Sequence, residues 1–441
     1  MRIDHLNFHL NRRDLLSGMG KLGAAGALAA GTGVSILGGD AGAEEMDTGH
    51  DHDNDVLPSG STLQKANDFD DSFSVEDAFS GAWAAATTAR YGKDDQLGTL
   101  NEITPRKTAK ALRLLDKGKE VVTYRLGHLM VNGVPGFVTF PPRKYSQRLI
   151  ALGYTPKDLS TNWFSTTTRG TAGEDEWRQA DRARGPLAYF QGPAGFGSTE
   201  LSAHEERFLE GGTYQLATQL DNLNHVGVRN IFYNGFDARE FASPTGTTKL
   251  GMETVPPFVT RGIVLDILDL KMSQGASSAI QTVNGNKMLT NSYRITQQDI
   301  EDAMKRGKIG AIQPGDVVCF RTGWHRLADD PTTYDQYLAT EPGIYIREAR
   351  WLAGHRPAVI AADTWALELL PGTPTSDPNQ LFIVHQELIV KNGIRIGEGV
   401  IVTDLASDGV FEFVYMYSPQ YAKGATAGNV PPVGLAVKRR H

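Results

Sequence analysis

Thr213-Tyr-Gln-Leu-Ala-Thr-Gln-Leu-Asp-Asn-Leu-Asn-His225 carries two glutamines, an aspartate and a histidine at positions 215, 219, 221 and 225. On an extended strand, side chains alternate faces, so residues an even number of positions apart point the same way. The spacing predicts a strand over Thr213–Asp221 with Gln215, Gln219 and Asp221 on one surface and His225 in the turn that follows. Tyr214, Leu216 and Leu220 would pack on the other surface. Oxygen donors and an imidazole converging on one spot suit a metal or a carbonyl-activating site. Polar residues at a strand edge give the same letters by chance, so the pattern alone points without deciding.

Outward from this stretch the chain alternates. Pro105 to Lys117 has helical spacing in Ala109, Leu112 and Leu115 and ends at Gly118. Glu120–Leu126 reads as a strand, as do Gly262–Leu270, Val317–Phe320 and Ala358–Ala362. Thr296–Arg306 reads as a helix, capped by Thr296 with Asp299 in its first turn. Ile346–Ala353 reads as another. Strands alternating with helices imply an α/β core. Residues 143–205 are polar and rich in Gly, Thr and Arg, and read as an insertion.

The 441 residues are 40% apolar and 22% charged, the balance of an ordinary soluble protein. A net charge of −7 argues against a nucleic-acid partner, which requires clustered Lys and Arg. Cys319 is the sole cysteine, so no internal disulfide forms. Its apolar setting, Val317-Val-Cys-Phe320, marks a core thiol. At the N-terminus, Asn11-Arg-Arg-Asp-Leu-Leu16 precedes a Gly/Ala-rich, weakly apolar stretch from Leu22 to Gly39 and the small residues Ala41-Gly-Ala43. That is the layout of a twin-arginine export signal over 1–43, with a periplasmic or secreted destination. The stretch has too few large apolar residues for a stable membrane anchor. Residues 44–75 read as an acidic, solvated linker, and 76–441 as the folded domain, which the resemblance described next implies is catalytic.

Several segments carry a family resemblance. Thr218, Asp221 and His225 match the motif His-x-Gly-Thr-His-x-Asp-x-Pro-x-His of the cyclase-like metal-dependent hydrolases, the family of kynurenine formamidase and isatin hydrolase. Gln215 and Gln219 stand where that family has two metal-binding histidines. Arg90-Tyr-Gly-Lys-Asp-Asp-Gln-Leu-Gly-Thr-Leu-Asn101, Gln313-Pro-Gly-Asp-Val-Val-Cys-Phe-Arg-Thr-Gly-Trp324, Ala361-Ala-Asp-Thr-Trp365, Val384-His-Gln-Glu-Leu388 and Ile396-Gly-Glu-Gly399 follow in the order of a longer branch of the family.

The resemblance implies a swivelling β/β/α fold with a mixed sheet or barrel core, a homo-oligomer (dimer or tetramer), and a small-molecule substrate. It implies a metal-dependent hydrolase of a cyclic amide, ester or N-formyl bond. The ligands it hands over are Gln215, Gln219, Asp221, His385 and Glu398, with His225 as general acid/base. Glu387 could replace a ligand or support one. Tyr233, Asn234 and Trp83, with Trp163, are candidates for walling the pocket. The cofactor would be a divalent ion, Mn²⁺ or Zn²⁺ with Mg²⁺ as a further choice. Glutamine oxygens in place of imidazoles weaken the case for zinc and favour a harder ion. A site with one ion, or none, stays open at this level. So do a non-hydrolytic cyclase or dehydratase and an exported binding protein.

Overall fold

Alternate residues of the central strands belong to two separate apolar clusters. Ile263, Leu265, Val318, Phe320, Ile360 and Ala362 join one, while Val264, Val317, Cys319, Val359 and Ala361 join the other. A strand covered on both faces reads as a continuous apolar run. Val317-Val-Cys-Phe320 is such a run. Burying each large aliphatic side chain there contributes about 1.5–3 kcal/mol.

The computed structural model describes residues 65–116, 120–137, 143, 145–152, 203–208, 212–371 and 380–437. They fall in one unit, Thr62–His441. The leader at 1–43, most of the linker, and most of the 143–205 segment with Trp163 lie outside the described residues.

Nine strands form the main sheet: β1 (Val121–Arg125), β2 (Gln219–Asp221), β3 (Phe258–Asp266), β4 (Val317–Arg321), β5 (Val359–Ala362), β6 (Arg395–Glu398), β7 (Glu412–Tyr417), β8 (Ala427–Gly428) and β9 (Val433–Val437). Their order is β1-β9-β7-β3-β4-β5-β6-β2-β8. The central run β3-β4-β5-β6 is parallel, and the flanking pairs are antiparallel. The main helices are α1 (Ala82–Tyr91), α2 (Pro105–Leu112), α3 (Ile267–Ser273), α4 (Gln297–Gly307) and α5 (Ile346–Gly354). This is the mixed α/β architecture the sequence implies. Among the described residues no helix is long and apolar enough to cross a membrane.

Helix starts follow their caps. Thr296 accepts from the Asp299 amide, and the Asp299 carboxylate accepts from the Thr296 amide, a reciprocal box that starts α4. Three expectations change. The strand expected over 262–270 ends at Asp266, whose side chain accepts from the Asp269 amide and turns the chain into α3. The strand expected over Thr213–Asp221 is only Gln219–Asp221, because Ala217 adopts a left-handed φ of 54°. Residues 65–75, placed in the linker, are docked on the body. Ala66 is buried, and Asp71 pairs with Arg294 and Arg347.

Candidate metal centre

β6 and β2 run antiparallel with Glu398 opposite Gln219 and Ile396 opposite Asp221. Strand alternation therefore puts Gln219, Asp221 and Glu398 on one face. The chain before β2 is held by side chains rather than by a ladder. The Thr218 hydroxyl donates to the Gly399 carbonyl, and the Asn429 amide donates to the Leu216 and Thr218 carbonyls. This bend still turns Gln215 toward the same space.

His385 arrives from a short helix, Ile383–His385, that continues as a π-helical turn, Gln386–Lys391. Its Nε2 lies 3.2 Å from Glu398 Oε1 and 3.7 Å from Asp221 Oδ2, and His225 Nε2 lies 3.9 Å from the same Asp221 oxygen. Asp221, His385 and Glu398 are all buried and together could hold a metal ion. Bonds of ~2.1 Å in tetrahedral geometry place ligand atoms roughly 3.4 Å apart, close to these separations. Asp221 Oδ2 and Gln219 Oε1 are buried without a hydrogen-bond partner. Buried acceptors in that state are costly unless a cation or water meets them. The donor set fits a divalent ion.

The opposite side of His385 is fixed. Its Nδ1 lies 2.5 Å from Glu368 Oε1, and Glu368 Oε2 accepts from the Val384 amide. A carboxylate on Nδ1 leaves the Nε2 lone pair for a metal. Glu368 is a functional residue the sequence reading missed, and only its place in the fold brings it here. Glu387, the expected supporter, instead pairs with Arg350 and Lys391.

Electrostatics follow from burial and proximity. Burial disfavours a charged His385, but the carboxylates of Asp221, Glu368 and Glu398 around the ring outweigh it and hold the imidazole well above its usual range. Burial and the neighbouring Asp221 charge push Glu398 up to about 7. For Asp221 burial acts upward, yet His225 and His385 pull the carboxyl below its ordinary value. Burial lowers His225, against the pull of Asp221.

A cavity opens beside the cluster, lined by Gln215, Gln219 and Glu398 together with Phe137, Arg143 and Trp365. Phe137 and Trp365 stack at 5.1 Å, and Phe382 meets both edge-on and covers the His385 ring. Tyr233, Asn234 and Trp83 do not line it. Tyr233 is fully buried with its hydroxyl on Asp95, 2.6 Å away. Asn234 takes a left-handed turn and bonds the Thr87 and Thr88 hydroxyls and the Gly92 carbonyl. Trp83 packs with Ala78, Val228 and Val390. Each of the three has a packing or turn role that its residue type serves equally well. Cys319 is a buried thiol whose ionisation burial pushes up, remote from nucleophilic duty.

The sheet order and this cluster define a cyclase-type scaffold, and the comparisons agree. The family model described as "Putative cyclase" matches residues 152–369. A crystal structure of a novel cyclase is 27% identical, with a TM-score of 0.56 over 78% of this chain and 96% of its own. Over residues 152–369 the chain is similar to the cyclase family, and it shares the fold of that solved cyclase. An isatin hydrolase bound to the product analogue thioisatinate is 12% identical, with a TM-score of 0.44 over 76% of this chain and 100% of its own. A "predicted metal-dependent hydrolase" from Bacillus stearothermophilus is 15% identical, with a TM-score of 0.38 over 72% and 98%. No curated protein matches the chain.

Proposed function

We propose that this protein is a divalent-metal-dependent hydrolase that opens a cyclic amide, ester or N-formyl bond of a small molecule to give a carboxylic acid. The observation that carries the reading is Asp221 Oδ2, a buried oxygen without a partner that faces the rings of both His385 and His225. Asp221, His385 and Glu398 would hold the ion, with Gln219 Oε1 as a further oxygen donor. Two carboxylates, an amide oxygen and one imidazole favour Mn²⁺ over Zn²⁺. The bound ion supplies polarisation of a carbonyl and activation of water at neutral pH. Glu368 keeps the Nε2 lone pair of His385 aimed at the centre. Phe137 and Trp365, backed by Phe382, form an apolar wall of the cavity, and Arg143 offers it a cation. Export through the twin-arginine pathway, suggested by Arg12 and Arg13, is part of the same proposal.

Metal analysis and product analysis test this together. The purified protein should carry stoichiometric metal, and turnover of a lactam, lactone or N-formyl substrate in ¹⁸O-water should label the new carboxylate. A labelled-water experiment with product formed but no ¹⁸O would replace hydrolysis by ring closure or dehydration. Asp221→Asn should lose metal and nearly all turnover with an unchanged circular dichroism spectrum. An active, fully loaded Asp221→Asn protein overturns the assignment.

A further inference from the structure

The two glutamines form a chain of hydrogen bonds whose direction is dictated at both ends. Gln219 Nε2 is surrounded by acceptors: Glu398 Oε2, Gln215 Oε1 at 3.0 Å and Asp221 Oδ1 at 3.3 Å. Turning that amide over would set its oxygen against three oxygens, so the nitrogen must stand there. Gln215 Oε1 therefore accepts, which leaves Gln215 Nε2 on the other side. That nitrogen lies 3.4 Å from the Thr426 carbonyl, which can only accept, and 3.0 Å from His225 Nδ1. A donor on Nδ1 requires that Nδ1 be the acceptor nitrogen of the ring. The proton of neutral His225 then sits on Nε2, the nitrogen that faces Asp221 Oδ2.

His385 is wired the opposite way. A carboxylate, Glu368, occupies its Nδ1, so the neutral, metal-binding form of the ring keeps its proton on Nδ1 and its lone pair on Nε2. Two imidazoles face one aspartate oxygen, and in their neutral forms one presents a lone pair and the other an N–H.

The geometry points to Gln215 and Gln219 as positioning residues that fix His225 as its Nε2–H tautomer, making it a hydrogen-bond donor to the reaction space and neither a metal ligand nor a general base. The glutamines thus do more than vacate the family's two ligand positions. They convert the one remaining histidine of that motif into a fixed donor, suited to holding an oxygen of the substrate or of its tetrahedral adduct. This removes the acceptor half of the acid/base role expected for His225 from the family motif. What the donor acts on rests on the hydrolase reading above, whereas the tautomer itself does not.

The test reads the tautomer directly. Full-length protein labelled with ¹⁵N-histidine is examined by ¹H–¹⁵N multiple-bond NMR at pH 8, in Mg²⁺ buffer and after chelation, with His225 signals assigned by their loss in His225→Ala. The expected result in both states is a pyridine-type Nδ1 and a protonated Nε2. Gln215→Glu replaces the donor with an acceptor and should reverse the tautomer. His225 Nε2 then becomes free to bind metal, and Mn²⁺ affinity should rise at least tenfold, the scale on which such supporting partners act. Gln215→Glu in the His225→Ala background separates that gain from the effect of added charge, since the gain should vanish there. Wild-type His225 carrying its proton on Nδ1, or on both nitrogens at pH 8, overturns the proposal. So does a Gln215→Glu gain that survives without the ring. None of these readings needs a substrate, so failure of the hydrolase reading would leave them intact.

Discussion

At the scale of single residues, the centre is decided by what lies behind each ligand. His385 is useful to a metal only while Glu368 accepts its Nδ1–H. Glu368→Gln keeps the shape but weakens that acceptor and permits a flipped amide to donate to Nδ1. Metal affinity should then fall about 10–100-fold, the usual cost of removing such a partner. Titration of the chelated protein with Mn²⁺ measures it, and an unchanged affinity would mean that the ring is held by Phe382 packing alone. Glu341, buried and accepting from the Trp365 and Ala366 amides, fixes the loop that presents Trp365 to the cavity.

At the scale of elements, stability rests on the parallel core and on charges buried at its end. Asp316, fully buried one residue before β4, accepts from Nε and Nη2 of Arg261, from Lys107 and from the Gln313 amide. Asp316→Ala leaves two cations without their shared carboxylate. Breaking a buried pair this way costs roughly 3–5 kcal/mol, to be read from the urea midpoint with metal content at the centre unchanged. The elements also show what the sequence discloses. α4, α5, β4 and β5 stand where caps and apolar runs put them, because those signals are local. β2 is shorter than its alternation suggests, because the left-handed turn at Ala217 is imposed by Asn429 and Gly399, far along the chain. Asp221, His385 and Glu398 come together as the family motif implies. Glu368 carries no local pattern, and Tyr233, Asn234 and Trp83 have types that fit either a pocket or a core.

At the scale of the whole molecule, the buried neutral histidines tie stability to pH. Burial takes His128 from 6.5 down to about 4, and the nearby His325 adds to the effect. Between those values the unfolded chain binds a proton that the folded chain does not. Stability contributed by this residue is therefore complete above about pH 6.5 and is lost as pH falls toward 4. The loss amounts to about 3 kcal/mol for a shift of that size. Urea unfolding between pH 7 and pH 4.5 should show a smaller drop for His128→Gln than for the wild type. Equal slopes would assign the acid sensitivity to other groups.

The pairing of β2 with β6 joins residues 179 apart in sequence, Gln219 and Glu398. A ribosome making the chain exposes Asp221 long before Glu398, and an unfinished chain has only half of the cluster. Loop closure over such a span comes late in folding. Capture of an ion by this cluster would therefore follow synthesis of the C-terminal strands. The ions present where the finished chain first folds would then choose which one the centre holds.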